Sequence, residues 1–371
     1  MPLYLTEDQA MLRDTARSFM AEEGAIPKQL RHWRDKGCKD GFGHDLWKQF
    51  AEMGFTGILI EEADGGLGLG HVEAGIVLEE IGRNLTPSPF LTSAVAFVEA
   101  LKGTRLRERW FPGILSGDTV AAVAIDEGAK HRPESIAMKA ERSGNGFRLS
   151  GAKQFVVHGA SADVTLVAAK ADDGLTLFAV EKDARGLEVE GVRLADSSIG
   201  ARLTFADVEV DADAVVGEVG GGGEILTRLL AAGRTGAAAE LVGIGTAAMD
   251  MTVDYLRQRK QFGRLIGEFQ ALQHRAAHLY SELEIARSAT LKAQQLLDES
   301  SGDSEAMVSV AKAKAGRASQ LAVQESVQMH GGIGMTDEYD IGLYMKRDRV
   351  LNELFGDPAY HADKLARMKG Y

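Results

Sequence analysis

The hydrophobic period of this chain changes twice along its length, and that order limits the folds it can adopt. Over residues 1–112 apolar side chains recur at helical spacing, as at Leu12 and Ala16, which indicates amphipathic helices. Residues 113–214 hold short apolar or alternating runs separated by turn residues, a pattern typical of antiparallel strands. Residues 215–371 return to helical spacing. The sequence therefore predicts an α+β chain with an N-terminal α-helical domain, a central antiparallel β-domain and a C-terminal four-helix-bundle domain.

Individual elements can be placed within these three predicted domains. Thr6, followed by Gln9, is suited to cap a first helix, and the glycine-rich run Glu61–Gly70 is predicted to be a loop. Six runs are predicted strands: Val120–Ile125, Phe147–Gly151, Val164–Ala169, Leu175–Val180, Leu187–Val192 and Leu203–Val210. Three long helices are predicted in the last domain: Glu224–Arg257, Glu268–Asp298 and Glu305–Met329. A final turn-rich segment contains His330–Gly334.

The tetraglycine Gly220–Gly223 separates the β-domain from the last helical domain. Glycine runs often form flexible linkers. They also occur in loops where the backbone comes close to a partner or a cofactor. The sequence leaves both interpretations open.

Composition excludes several classes of protein. A length of 371 residues predicts two or three domains, and the net charge of −12 argues against a general binder of nucleic acid or acidic membranes. The single cysteine, Cys38, excludes an intramolecular disulfide framework and a cysteine-rich zinc site, and no metal site is predicted. No apolar run approaches the roughly 18 residues of a membrane span. The segment Met1–Asp8 lacks the features of a signal peptide, so we expect a cytoplasmic protein.

Two motifs suggest a family. The first is Arg257–Gln270, which reads RQRKQFGRLIGEFQ, and the second is Gln328–Met335, which reads QMHGGIGM. Together with the helix–strand–helix order, they resemble the acyl-CoA dehydrogenase family of flavoproteins. The resemblance covers nearly the whole chain, including Leu5–Gln9 and Gly65–Gly68. By contrast, the chain lacks a P-loop, a Gly-x-Ser-x-Gly elbow and the strand–turn–helix context of a dinucleotide fingerprint.

The resemblance implies that the chain binds FAD. Arg259 would offer its guanidinium to the pyrophosphate, while Gln261 and Phe262 would add a polar contact and an aromatic face. The family binds FAD across a subunit interface, so Gln270 and the loop from Gln328 through Gly331 and Gly332 would reach the cofactor of a neighbouring subunit. The alternative is that Arg259 and Gln261 form a solvated helix end and that the two glycines form a turn.

The β-domain is expected to contact the flavin ring. Where the family usually has an aromatic-Ile-Thr stretch, this chain reads Phe155-Val156-Val157, so Phe155 could stack on the ring and the Val157 backbone could hydrogen-bond it. The resemblance further places Val123, Ile125 and Asp126 at the cofactor, although the family's usual Thr-Glu-Pro-x-Ala-Gly-Ser-Asp run is altered here. His131 and His158 are either chemically active or, as isolated loop histidines usually are, solvated.

The family reaction requires a carboxylate base that removes the α-proton of an acyl-CoA thioester. The resemblance places the usual base at Gly356 and the alternative one at Gly233, immediately before Arg234, so both usual positions lack a carboxylate. Arg234 is expected to contact substrate. Candidate bases are Asp357, Glu240 and Glu353, and a structural ion pair is an alternative role for Glu240. The chain could also lack a base.

The resemblance implies FAD-dependent α,β-dehydrogenation of an acyl-CoA to the trans-2-enoyl-CoA, as in fatty acid or steroid side-chain β-oxidation. A homodimer or homotetramer is expected, with an electron-transfer flavoprotein as electron acceptor and no nucleic-acid partner. One alternative is a non-catalytic partner subunit of a heterotetramer with a sister subunit. Another is a flavin oxidase or monooxygenase on the same scaffold.

Overall fold

The structure is a computed structural model, and it describes residues 3–371. Met1 and Pro2 belong to the segment that is not expected to be a signal peptide, and they lie outside the described residues. The chain folds into two compact units. Among the described residues, the first unit comprises 3–31, 71–86 and 234–371, and the second comprises 32–70 and 87–233. Each unit has its own packed interior.

The α-helices are α1 Glu7–Glu22, α2 His32–Asp35, α3 His44–Glu52, α4 His71–Asn84, α5 Val98–Leu101, α6 Arg107–Leu115, α7 Gly222–Gln258, α8 Gln270–Asp298, α9 Ser304–His330, α10 Ile341–Glu353 and α11 Pro358–Met368. π-Helical turns span Pro27–Arg31 and Phe90–Phe97. Every helix among residues 3–371 is too short or too polar to span a bilayer. The three predicted long helices are confirmed as α7, α8 and α9. The turn-rich interpretation of the C-terminal segment is incomplete, because α10 and α11 follow the glycines.

The start of α1 follows from its cap. The backbone N–H of Gln9 donates to Thr6 Oγ1 at 3.3 Å, and the backbone N–H of Thr6 donates to Gln9 Oε1 at 3.0 Å. This reciprocal pair satisfies two backbone donors that the helix end would otherwise leave exposed. The predicted cap is therefore confirmed, and Ala16 and Met20 of the same helix are fully buried.

Glycines allow α4 and α7 to cross at close range in the first unit. A Cβ atom on Gly82 would lie 2.1 Å from the carbonyl oxygen of Glu240, and one on Gly243 would lie 2.0 Å from that of Glu79. Real Cβ atoms essentially never approach a backbone atom so closely. The two helices consequently touch backbone to backbone, and only glycine fits at either contact.

The strands are β1 Ala121–Ala124, β2 Lys139–Ser143, β3 Gly146–Val157, β4 Val164–Ala171, β5 Gly174–Glu181, β6 Leu187–Arg193, β7 Ile199–Asp211, β8 Val215–Val216, β9 Lys260–Gln261 and β10 Arg264–Leu265. The first eight form one sheet in the second unit, in the order β6-β7-β3-β2-β4-β5-β8, with β1 paired to β4. Phe147, Leu149, Phe178, Leu203 and Phe205 form part of its buried core.

All six predicted strands are present, and the N-terminal helical, middle strand and C-terminal helical order is confirmed. The sheet is mixed rather than wholly antiparallel, since β1 and β2 run parallel to β4. The sequence of a strand shows which side chains alternate between the two faces of the sheet, but it does not show whether the neighbouring strand runs parallel or antiparallel. That direction depends on the connecting chain. The boundaries 1–112, 113–214 and 215–371 stay predictions.

The tetraglycine is a packed turn, so the flexible-linker interpretation is wrong. Gly220 has φ 80°, and its backbone N–H donates to Thr176 Oγ1 at 2.9 Å. A Cβ atom on Gly220 would lie 2.4 Å from the carbonyl oxygen of Asp173, and one on Gly222 would lie 2.8 Å from that of Leu175. The glycines therefore let the start of α7 lie directly against the β4–β5 hairpin and β5 of the same unit.

Candidate active site

Strand β3 has a bulge at the residues predicted to face the flavin ring. Lys153 pairs with Leu203 and Val156 pairs with Ala201, so β3 holds one residue more than β7 between these pairs. Phe155 lies in the bulge with φ 53°, a backbone conformation that is rare for a bulky residue. Bulges redirect side chains and are frequent beside active sites. The bulge therefore takes the half-buried Phe155 out of the regular pleat.

The chain that follows β1 lies against this bulge. The backbone N–H of Gln154 donates to the carbonyl oxygen of Asp126 at 2.7 Å, and Lys153 Nζ donates to that of Ile125 at 3.0 Å. Val123 precedes them on β1, and Val157 ends β3. The second unit thus brings Ile125 and Asp126 beside the bulge that contains Phe155.

A buried ion pair supports this arrangement. Lys153 is fully buried, and its ammonium donates to Glu127 Oε1 at 2.8 Å. The Glu127 carboxylate also accepts the backbone N–H groups of Ala137 and Met138 at 2.8 and 3.0 Å. Burial lowers the pKa of Lys153, while Lys153 and the two backbone donors lower that of Glu127 against the effect of burial. Sequence reasoning missed the pair, although a lysine among inward-facing strand residues was a signal for it.

Both histidines noted in the sequence are enclosed, so the expectation that they are solvated is wrong. His158 is 6% exposed, and its Nδ1 lies 3.2 Å from Thr92 Oγ1. His131 Nδ1 lies 2.9 Å from Asp126 Oδ1, which also accepts the backbone N–H of Arg132 at 3.3 Å. The carboxylate of Asp126 therefore orders the loop that follows it.

The first sequence motif forms a tight hairpin just after α7. Strands β9 and β10 pair antiparallel, and the two residues between them, Phe262 and Gly263, have φ values of 54° and 79°. Two successive left-handed residues are typical of a type I′ turn. The turn leaves the Phe262 side chain 90% exposed, and the Arg264 guanidinium lies 4.1 Å from the ring centre of Phe269.

Arg259 precedes this hairpin and points to solvent. Its guanidinium makes no hydrogen bond or ion pair with any residue between 3 and 371. The exposed side chains of Lys260 and Arg264 add positive charge nearby, and Gln261 Nε2 donates to the carbonyl oxygen of Lys260. The Arg259 guanidinium is therefore available to bind an anion. This arrangement is consistent both with a solvated helix end and with an anion site.

The second sequence motif ends α9. Gly331 has φ 64°, and a Cβ atom built on Gly331 or Gly332 would meet nothing within 4 Å among the described residues. His330, just before them, is buried and stacks on the ring of Tyr255 with centres 4.5 Å apart. Burial lowers the pKa of His330. Gln328 and Gln270, the latter at the start of α8, are both exposed.

Position 356 has no room for a side chain. Gly356 has φ 105°, and a Cβ atom there would lie 2.5 Å from Tyr360 Cδ1. The next residue, Asp357, is half-buried and caps α11, because its Oδ1 accepts the backbone N–H of Tyr360 at 2.7 Å. Pro358 follows in the first turn, as is usual after such a cap. The structure therefore holds the Asp357 carboxylate at a helix N-terminus.

The other two candidate carboxylates form ion pairs. Glu240 is 2% exposed, and its Oε1 accepts from Arg347 Nε at 2.7 Å and Nη2 at 2.6 Å. Glu353 Oε1 lies 3.0 Å from Arg349 Nη2 at the surface. A buried carboxylate is retained when a guanidinium neutralises it, so the pair with Arg347 favours the structural role for Glu240.

Arg234 holds the chain between α10 and α11. It is 4% exposed, its Nε donates to the carbonyl oxygen of Phe355 at 3.1 Å, and its Nη2 donates to Tyr360 Oη at 3.3 Å. The substrate contact assigned to Arg234 stays a prediction. Sequence reasoning missed Lys312, which is fully buried on α9 beside the same loop.

Asp348, which is buried on α10, should make the free energy of unfolding depend on pH. Burial raises its pKa to about 6, so above that pH the folded state holds a buried charge that the unfolded chain solvates freely. Asp348→Asn should therefore stabilise the protein by about 1 to 3 kcal/mol near pH 8 and by little near pH 4, where the carboxyl is protonated in the folded state. Urea unfolding at both pH values measures this. Asp213→Asn, at an exposed site, is the control, and an equal gain at both pH values would contradict the prediction.

A cavity of about 370 Å³ lies in the first unit, among α1, α4, α7 and α8. Two ion pairs lie within its lining, since Arg17 binds Glu80 at 2.8 Å and Arg287 binds Glu79 at 3.0 Å. None of the predicted site residues lines it. The cavity is therefore separate from the candidate site.

Comparison with known proteins identifies relatives along nearly the whole chain. Models of the acyl-CoA dehydrogenase N-terminal, middle and C-terminal domains match residues 6–118, 124–208 and 220–369. The chain is 33% identical to a mitochondrial 2-methylacyl-CoA dehydrogenase of Solanum tuberosum, covering 95% of this chain and 88% of that protein. It is 31% identical to the acyl-CoA dehydrogenase FadE12 of Mycobacterium tuberculosis, covering 93% and 91%. A solved steroid ACAD variant is 29% identical over 98% of each chain, with a TM-score of 0.90.

Proposed function

Because the chain belongs to the acyl-CoA dehydrogenase family, and is thus an oxidoreductase acting on acyl-CoA, we propose that it performs FAD-dependent α,β-dehydrogenation of an acyl-CoA thioester to the trans-2-enoyl-CoA. The match of all three family domains along one chain carries the proposal. The partner-subunit alternative is less favoured, since relatives that match almost end to end are themselves named dehydrogenases.

The residues present fit FAD. A pyrophosphate is bound by a cation and by backbone groups that it can approach closely. The chain offers the exposed Arg259 guanidinium, and there is free space beside Gly331 and Gly332. The half-buried Phe155 provides an aromatic face at a strained bulge. The proposed FAD contacts are Arg259, Gln261, Phe262, Gln270, Gln328, Gly331 and Gly332, and, towards the flavin ring, Val123, Ile125, Asp126, Phe155 and Val157. Bound FAD would supply the acceptor for the hydride that leaves the β-carbon of the substrate.

Asp357 is the proposed base. Its carboxylate would accept the α-proton as the bond between that hydrogen and the α-carbon breaks, and the electron pair would form the new double bond as hydride leaves the β-carbon. Glu240 and Glu353 are each held by an arginine. The backbone N–H of Tyr360 donates to Asp357 Oδ1 at 2.7 Å, which fixes the place of this carboxylate at the start of α11. Arg234, bonded to the carbonyl oxygen of Phe355, would orient the loop that contains this carboxylate.

Loss of the Arg259 guanidinium should weaken FAD binding. Hydrogen bonds to charged groups contribute about 1.5–3 kcal/mol, so Arg259→Gln should raise the dissociation constant of FAD by about 10- to 100-fold. Equilibrium binding to the apoprotein, followed by flavin fluorescence, measures this. Arg185→Gln removes an exposed arginine of the β-domain and should bind FAD as the wild type does. Equal affinities of Arg259→Gln and wild type would remove Arg259 from the proposed site.

Relatives guide the choice of substrates. The potato relative is named for 2-methylacyl-CoA and the solved relative for a steroid, so we propose branched short-chain and steroid-derived acyl-CoAs as the first substrates to test. We further propose a homodimer or homotetramer, and electron transfer to an electron-transfer flavoprotein. A heterotetramer with a sister subunit is the alternative assembly.

A turnover assay tests the proposal. The purified chain, loaded with FAD, is incubated with each acyl-CoA and a one-electron acceptor dye, and mass spectrometry looks for a product lighter by two hydrogens. The enoyl-CoA is the expected product. Oxygen consumption without an acyl-CoA requirement would instead indicate an oxidase or monooxygenase. Bound FAD without turnover by the lone chain, restored by a second subunit, would support the partner-subunit alternative.

A further inference from the structure

Lys312 donates three hydrogen bonds to the segment between α10 and α11. The side chain is fully buried on α9, and its Nζ lies 3.2, 3.1 and 3.0 Å from the carbonyl oxygens of Leu351, Asn352 and Gly356. An ammonium has three N–H donors, so all three are used. Two of the carbonyls belong to the last turn of α10, where a helix leaves them without intrahelical partners. The third belongs to the loop itself.

This loop has a conformation that needs external support. Phe355 and Gly356 have successive φ values of 61° and 105°. A phenylalanine in the left-handed region is strained, and strained residues persist only where the surroundings fix them. Arg234 binds the carbonyl oxygen of Phe355, and Lys312 binds that of Gly356. Two buried cations thus bind the carbonyl oxygens of the two positive-φ residues that directly precede Asp357.

We infer that Lys312 is a positioning residue: by bonding the end of α10 to the carbonyl oxygen of Gly356, it sets the place of the Asp357 carboxylate. The inference rests on the proposed function for its catalytic consequence, but its structural part stands on the contacts alone. Lys312 does not touch substrate, because it is fully buried.

The charges around Lys312 are compatible with this role. Burial, then the positive charge of Arg234, lower the pKa of Lys312 to about 7, while Asp348, Asp357 and Glu353 oppose that change. A buried ammonium is retained only if its donors are satisfied. The three carbonyl acceptors satisfy them, and they are also the groups that would lose their partner if the lysine were removed.

Hydrogen exchange of the full chain with FAD tests the structural part. The amides of Leu354, Gly356, Tyr360 and His361 each have an acceptor in or beside the loop. In Lys312→Met they should exchange about tenfold faster or more, while amides in the middle of α8 keep their wild-type rates. Lys314→Met is the matched control, since Lys314 lies on the same helix but pairs with Glu282. If Lys312→Met does not fold, Lys312→Gln, which retains fewer donors, should show the same local change.

A double-mutant cycle tests the catalytic part. Lys312→Met should lower kcat for flavin reduction about tenfold with KM nearly unchanged, and it should have no further effect in an Asp357→Asn background. Unchanged exchange at 354–361, or faster exchange everywhere, would overturn the inference. Additive effects in the cycle would overturn it too. If no acyl-CoA reduces the flavin, the proposed function fails, and the exchange data still decide whether Lys312 holds the loop.

Discussion

Asp357→Asn should fold, bind FAD and lose acyl-CoA-dependent flavin reduction by a factor of about 10² to 10⁴, the usual contribution of a general base. The substitution separates the two roles of this residue. Asparagine caps helices as well as aspartate does, so the contact to the Tyr360 N–H survives and stability should change little. The substitution removes the negative charge of this side chain, and with it the capacity to accept the α-proton. Stopped-flow absorbance under anaerobic conditions measures the rate.

Glu240→Gln is the matched carboxylate control for this prediction. It keeps the size of the side chain and breaks the buried ion pair with Arg347. We expect lower stability, because Arg347 loses its partner, but a reduction rate much closer to wild type. A reduction rate that collapses in Glu240→Gln and persists in Asp357→Asn would assign the base to Glu240 instead.

Gly243→Ala should destabilise the chain by about 3 kcal/mol, towards the upper end of the usual cost of overpacking. The added Cβ would lie 2.0 Å from the carbonyl oxygen of Glu79, a backbone atom that can move only if α4 and α7 separate. Gly223→Ala on the same helix is the control. Its Cβ would meet nothing within 4 Å, so the better helix propensity of alanine should leave stability unchanged or raise it by up to about 1 kcal/mol.

The midpoint of urea unfolding compares the two alanine variants with the wild type. We expect opposite signs, or at least a clear loss confined to Gly243→Ala. Similar midpoints for both variants would mean that the α4–α7 crossing can relax, and that backbone contact is not what fixes these helices.

Local signals were enough to predict much of the fold. The Thr6–Gln9 cap, the six strands and the three long helices each depend on residues close in sequence. The parallel pairing of β1 with β4 was not predictable in this way, since it joins strands about 40 residues apart. Helices α10 and α11 were missed because the preceding glycines dominate the local pattern.

The candidate site was predictable in outline only. The motifs located Arg259 and the Gly331–Gly332 loop, and both are exposed with free space. Asp357-Pro358 could have been recognised as a helix N-cap followed by a first-turn proline. Lys312 could not, because a lysine on an apolar helix usually extends to solvent. Only the fold shows that the carbonyl groups at the end of α10 enclose it.

The most direct test of the proposed dehydrogenation is the anaerobic visible spectrum of the purified chain with FAD bound, before and after adding the branched and steroid-derived acyl-CoAs. We predict that at least one of them bleaches the oxidised flavin band of the wild type, and that Asp357→Asn leaves the band unchanged on the same timescale. A flavin that stays oxidised with every acyl-CoA while dithionite still reduces it would contradict α,β-dehydrogenation by this chain alone.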